Sequence, residues 1–236
     1  MLILFTDENL HTSHYPILQF AIKKVSKIHL KFQPHSSSPI DEINQHIHSI
    51  IEKDETLLNK IVVHINTQLL QVENSFASPH FIEKRFKEVV EKIHSHHFHL
   101  SEEVSNHYLN ILKNNSSDFQ YFIHHYNISA SIHHLKINEN YQYFQYLIYG
   151  PVFPSISKSN YLPTETIDKI SKDLREIEER LGIPIIAVGG ITLDNFSQAL
   201  NAGFAGVALR GYIWQHPSPI YALQQFLNVW KKQNGK

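Results

Sequence analysis

The sequence predicts an α/β protein, a single-domain (β/α)8 TIM barrel over residues 1–236. Three observations predict it. Short β-type runs alternate with longer segments of helical period along the chain. Three βα units follow one another in the C-terminal half, which requires parallel strands joined by helical crossovers. Counting the less regular units gives about eight in 236 residues, close to the roughly 250 usual for such a barrel. A doubly wound open sheet is the competing architecture, but the glycine-rich turn it carries after the first strand is missing.

The N-terminal units read in order as LILFTD (residues 2–7) before a helical SHYPILQFAIKKV, KIHLKF (27–32) before PIDEINQHIHSIIEK, and KIVVHIN (60–66) before PHFIEKRFKEVVEKI. In the middle, HFHL (97–100) and ISASI (128–132) are strand candidates. Further on, YLIYGPV (146–152) is a strand, and a helix over 163–182 opens at Pro163 and Thr164 and stops at Gly182. IPIIAVGG (183–190) is the next strand, a helix over 193–203 ends at Gly203, GVALRG (206–211) is a strand, and a helix over 217–232 closes the series.

Bulk composition narrows the partners. With 21 basic against 22 acidic residues, the net charge is −1 and no basic stripe appears, so nucleic acid is not an expected partner. No run approaches the roughly 20 apolar residues of a membrane span. The absence of cysteine excludes disulfides and thiolate chemistry and suits a reducing compartment. The N-terminal MLILF is too short for a signal peptide's apolar region and is read as a first strand of a cytoplasmic protein. A small polar ligand is the expected partner, and a homo-oligomer is compatible with this composition. The 18 histidines are the one oddity, clustered at His94, His96, His97 and His99 and at His124 and His125. Metal binding by them is disfavoured because Asn, Ile and Lys are abundant too, a drift of composition and not a ligand pattern.

In a barrel of this kind the C-terminal strand ends carry function, with phosphate held after strands seven and eight. Those loops are VGGIT and LRGYI. Gly189 and Gly190 have no Cβ to keep an anion away from their N–H groups, and Gly211, beside Arg210, would complete the nest.

At this point YGPVFPSISK (149–158) together with IPIIAVGGITLDNFSQALNAGFAGVALRG (183–211) resembles the paired motifs of the thiamine phosphate synthase and TenI family. The resemblance is specific over about residues 129–212 and weaker over 2–66. It implies a (β/α)8 barrel of thiamine biosynthesis that binds a thiazole phosphate. Synthase members join it to a pyrimidine diphosphate with loss of diphosphate, and TenI members tautomerise a thiazole phosphate carboxylate. By this resemblance Gly189, Gly190, Arg210 and Gly211 hold phosphate, while Lys31, Asn66, Gly150, Ser155, Ser157 and Lys158 contact the rest of the substrate.

Departures from the family pattern decide between the two chemistries. A Gln-x-Arg-x-Lys pattern on strand two becomes His29-Leu30-Lys31-Phe32-Gln33, keeping one cation. The Asn-Asp pair after strand three reads Asn66-Thr67, and Val104 stands at the aspartate position after strand four, so Glu102 or Glu103 would have to substitute as a Mg²⁺ ligand. Register between Asn66 and His99 stays open: either a helical insertion lies over 79–93, or strand three lies over 92–97.

SASIHH resembles the family's Ser-x-His-Ser segment and puts His133 at the position of the TenI proton-transferring histidine, with His134 on the far side of the strand. Imidazole near its neutral pKa moves protons both ways without a metal. The expected function is therefore a metal-independent tautomerase using His133, with no cofactor. The synthase reaction, which would need Mg²⁺, and a non-catalytic binder of thiazole or thiamine phosphate are the alternatives.

Overall fold

The computed structural model describes residues 1–33, 38–70, 79–106 and 124–234. Its strands are β1 (Leu2–Phe5), β2 (Lys27–Leu30), β3 (Ile61–Ile65), β4 (His97–Leu100), β5 (Asn127–Ile132), β6 (Leu147–Tyr149), β7 (Ile185–Val188) and β8 (Gly206–Leu209). They are hydrogen-bonded in sequence order into a closed barrel, with β8 returning to β1. Every pairing is parallel, as βα connections demand. The expected (β/α)8 barrel is therefore the fold.

Around the barrel run α1 (Tyr15–Ile22), α2 (Pro39–Ile51), α3 (Pro79–Val90), α4 (Ile167–Leu181), α5 (Phe196–Asn201), α6 (Gly211–Trp214) and α7 (Pro219–Asn234). The open register is thereby resolved: residues 61–65 form β3, α3 follows, and residues 92–97 are not strand three. Helix boundaries shift where a side chain offers a better cap. The α4 helix starts at Ile167 and not Pro163, because the Thr166 hydroxyl accepts from the Lys169 N–H at 3.4 Å. Gly182 ends it at φ 61°, a left-handed position that suits glycine. The α2 helix stops at Ile51, two residues before the expected end, where Glu52 and Lys53 turn left-handed.

Alternation along each strand sends one set of side chains outward and the other inward. Outward residues such as Leu4, Ile28, Val63 and Phe98 pack with Leu18, Ile47, Leu174 and Phe226 of the helices into one apolar layer. The interior is divided. Ile3, Phe5, Tyr146, Ile148, Ile186 and Ala208, from β1, β8, β7 and the β6 side, make an apolar half. The other half comes from β2 to β5 and carries Lys27, His29, His64, His97, His99, Asn127, Ser129 and Ser131. A barrel of this type is usually filled by branched apolar residues throughout, so the polar half must satisfy itself internally. It does so through His29 Nε2 and the Tyr146 hydroxyl (2.7 Å) and through His99, whose Nδ1 and Nε2 meet the hydroxyls of Ser129 and Ser131 at 2.8 Å each.

Candidate active site

A cavity of about 260 Å³ opens at the C-terminal ends of the strands. Its floor is the top of the divided interior, with Phe5, Ile148, Val188 and Ala208 on one side and Ser101 and Ser131 on the other. Ten of the residues expected from the sequence line it: Lys31, His133, Gly150, Ser155, Ser157, Lys158, Gly189, Gly190, Arg210 and Gly211. Asn66 does not. Its side-chain oxygen accepts from the Leu69 N–H at 2.8 Å, capping the turn after β3, and it borders a separate small recess. Asn66 thus lies outside this cavity and caps the turn after β3.

The glycines after β7 do more than the sequence suggested. Gly189 and Gly190 have φ of 92° and 64°, and a Cβ on either would run into the backbone between Pro151 and Pro154. What lies close to them on that side is the chain after β6, which continues the parallel pairing: Val152 N–H donates to the Val188 carbonyl at 3.0 Å and Phe153 N–H to that of Gly189 at 3.1 Å. Gly150 is pressed in the same way against Val188, and Gly211 against Ile156. One loop, residues 151–158, therefore seals against the ends of both β7 and β8.

This packing frees donors on the cavity side. Asn195 holds the turn by donating from Nδ2 to the Gly190 carbonyl and accepting from the Thr192 N–H, each at 2.8 Å. Among the described residues, the N–H groups of Gly190, Ile191, Gly211 and Tyr212 have no hydrogen-bond partner. Unpaired donors at two adjacent strand ends form an anion nest. Lys31, Lys158 and Arg210 add positive charge at its rim.

Each cation is positioned. The Thr6 hydroxyl, fully buried, accepts from the Lys31 N–H at 2.9 Å and donates to its carbonyl at 3.2 Å, fixing the end of β2. Arg210 pairs with Glu8 at 2.6 Å, a partner the sequence reading missed. Burial pushes the Glu8 carboxyl up, but Arg210, Lys158 and Lys31 together hold it below its ordinary value. Burial, then repulsion from Arg210, lowers Lys31 despite Glu8. Lys158 lies over the Tyr161 ring at 5.7 Å, and its N–H donates to the Ser155 hydroxyl at 3.1 Å.

His133 stands just past β5, half exposed into the cavity, with His134 exposed beside it. Its Nδ1 meets the Gly150 carbonyl at 2.7 Å, and its Nε2 lies 3.8 Å from Glu102. Glu102 is the only carboxylate lining the cavity among the described residues. It also accepts from the His133 backbone N–H at 3.3 Å. Magnesium held by protein takes one or two carboxylates together with substrate phosphates and waters, so the described residues reach the lower bound of such a site. Glu103 is not among the lining residues.

The sequence matches a family model described as thiamine monophosphate synthase over residues 67–213, more than half of the chain. Among curated proteins, it is 31% identical over 85 residues to a thiamine-phosphate synthase of Bacteroides fragilis, covering 36% of this chain and 42% of that protein. It is 41% identical over 64 residues to one of Methanocella arvoryzae, covering 27% and 28%. The chain thus spans less than half the length of these curated relatives. A solved thiamine phosphate pyrophosphorylase of Pyrococcus furiosus superposes with a TM-score of 0.62 at 16% identity, covering 98% of this chain and 95% of that one, a likeness of fold.

Proposed function

Since the chain belongs to the thiamine monophosphate synthase family, we propose that it is an enzyme of thiamine biosynthesis whose cavity holds a thiazole phosphate. One observation carries this reading: Gly190, Ile191 and Gly211, whose N–H groups are unpaired at the ends of β7 and β8, line the same cavity as Lys31, Lys158 and Arg210. Charge-assisted hydrogen bonds of that kind are the strong ones, and the floor beside them offers an apolar wall for a flat ring.

Two chemistries fit that ligand. The relatives' names favour the synthase reaction, the joining of thiazole phosphate to a pyrimidine diphosphate with loss of diphosphate, over the tautomerisation expected first from the sequence. In that reaction Lys31, Lys158 and Arg210 would share the charge of the departing diphosphate. Glu102 with substrate oxygens would be the residue to hold Mg²⁺, which would screen that charge.

The second reading, tautomerisation, is favoured by the setting of His133. Its Nε2 faces the cavity beside one carboxylate, an arrangement that moves a proton between two positions of a ring without further groups. In both readings residues 155–158 close over the ring.

The deciding experiment gives the purified protein the thiazole phosphate carboxylate tautomer alone, and separately thiazole phosphate with pyrimidine diphosphate and Mg²⁺, with both products followed by chromatography. Thiamine phosphate in the second tube supports the synthase. Aromatisation in the first tube alone supports the tautomerase. No turnover in either, with thiazole phosphate still bound, would leave a non-catalytic binder and overturn the enzymatic reading.

A further inference from the structure

Three imidazoles from three consecutive strands meet inside the barrel, below the cavity floor. His29 of β2, His64 of β3 and His99 of β4 occupy inward positions, and one ring nitrogen from each lies within 4.8 Å of the other two. His29 and His99 are fully enclosed, while His64 keeps some exposure. We infer that these three histidines form a binding site for a divalent transition-metal ion of the zinc class, tying β2, β3 and β4 together.

Ligand chemistry selects the class. Three imidazoles without a carboxylate or thiolate suit Zn²⁺, Co²⁺, Ni²⁺ or Cu²⁺ and not the hard ions Mg²⁺ or Ca²⁺. The site is thus separate in place and in chemistry from any magnesium at Glu102. Three protein ligands leave a fourth position for water or a hydroxyl oxygen.

Geometry is close to what ligation needs. Zinc–nitrogen bonds of about 2.0–2.1 Å place tetrahedral ligand nitrogens roughly 3.4 Å apart. His29 Nδ1 and His64 Nε2 are already 2.9 Å apart, and the third ring closes the remaining distance, on the order of an ångström, by side-chain rotation.

The surrounding hydrogen bonds orient the rings as ligands are oriented elsewhere, through the nitrogen that does not bind the ion. With the Ser129 hydroxyl donating to the Phe98 carbonyl (3.3 Å), His99 Nδ1–H donates to Ser129 at 2.8 Å in the ligating tautomer. His99 Nε2 is left as the lone-pair nitrogen, capped by the Ser131 hydroxyl, a bond that an ion replaces. On His29 the Tyr146 hydroxyl takes Nε2, leaving Nδ1 turned to His64.

The test uses the full chain without a histidine tag, stripped by chelator and titrated with Co²⁺. The expected result is one equivalent bound with the visible absorption of a tetrahedral ion, displaced by Zn²⁺. His64→Gln and His99→Gln, which each remove a direct ligand, should weaken binding by more than the roughly 10- to 100-fold that loss of a supporting partner costs. His48→Gln, which breaks the surface His48–His94 pair, should leave the spectrum unchanged. Binding without a tetrahedral spectrum, no stoichiometric binding, or a spectrum intact in His99→Gln overturns the site. Should the interior variants fail to fold, X-ray absorption on the zinc-loaded wild-type protein counts the imidazoles directly, and fewer than three overturns it equally.

Discussion

His133 Nδ1 lies 2.7 Å from the carbonyl oxygen of Gly150. A carbonyl can only accept, so Nδ1 carries a proton and Nε2 is the nitrogen turned toward Glu102. If proton transfer is the chemistry, His133→Ala should lower turnover of the tautomer by about 10²- to 10⁴-fold while thiazole phosphate affinity changes by less than about twofold. Steady-state kinetics beside calorimetric titration separates the two effects. Turnover retained within tenfold would remove His133 from the chemistry.

Two glycines with similar backbone angles should respond differently to alanine. At Gly190 (φ 64°) a Cβ meets the chain at Phe153 and Pro154, whereas at Gly182 (φ 61°) it meets nothing within 4 Å. Gly182→Ala should cost about 1 kcal/mol through left-handed strain alone and leave ligand affinity intact. Gly190→Ala should cost about 2–4 kcal/mol, because overpacking adds to the strain, and should weaken phosphate binding as well. Thermal unfolding and phosphate-ligand titration of both variants check this; equal effects would mean that the loop yields freely.

Anion affinity should have an alkaline limit set by Lys31. Its charged form is disfavoured by burial and by Arg210, so it loses its proton below the ordinary lysine value of 10.5. Affinity for a phosphate ligand should then fall by about tenfold per pH unit above that lowered value. In Lys31→Arg, whose guanidinium keeps its charge, the profile should stay flat over the same range. A wild-type profile as flat as the variant's would exclude Lys31 from the anion site.

Stability should drop on mild acidification. His29, His64 and His99 are held uncharged in the fold, His99 with its pKa lowered to about 3, while the unfolded chain takes up their protons below the ordinary value of about 6.5. Falling pH therefore favours unfolding. Each proton contributes about 1.4 kcal/mol per pH unit once that value is passed, so three give a slope of about 4 kcal/mol per unit near pH 5. Denaturant unfolding of the chelator-treated protein between pH 7 and 5 measures the slope. A profile flat across this window would mean that the three rings are solvated or already charged.

Residues whose place depends on their own strand end were legible in the sequence. Gly189, Gly190 and Arg210 follow apolar runs that can only be strands, and His133 sits at a fixed distance from ISASI. The capping contact of Asn66 was not visible because its partner, the Leu69 N–H, exists only once the turn after β3 has formed. Pairings across the barrel were the least visible. Nothing near Glu8 in the chain points to Arg210, and the run His94 to His99 looks like one cluster although it is divided where β4 begins at His97. His99 turns inward to His29 and His64, whereas His94 turns outward to His48. The inward histidines each occupy an alternate position of a short strand, a period-two signal that is informative only after the register between strands is known.

The two-sided interior also gives the cavity a handedness. A flat heteroaromatic ring resting on the floor has one edge over Phe5, Ile148, Val188 and Ala208 and the other over Ser101 and Ser131. Turning it over exchanges those edges, burying its polar atoms against hydrocarbon and wasting the hydroxyls. If the proposed ligand is tethered by its phosphate at the ends of β7 and β8, only one face of its ring would look out of the barrel. A second reactant entering from solvent would meet that face alone, so the stereochemical course of any addition is set by which strands carry serine and which carry isoleucine.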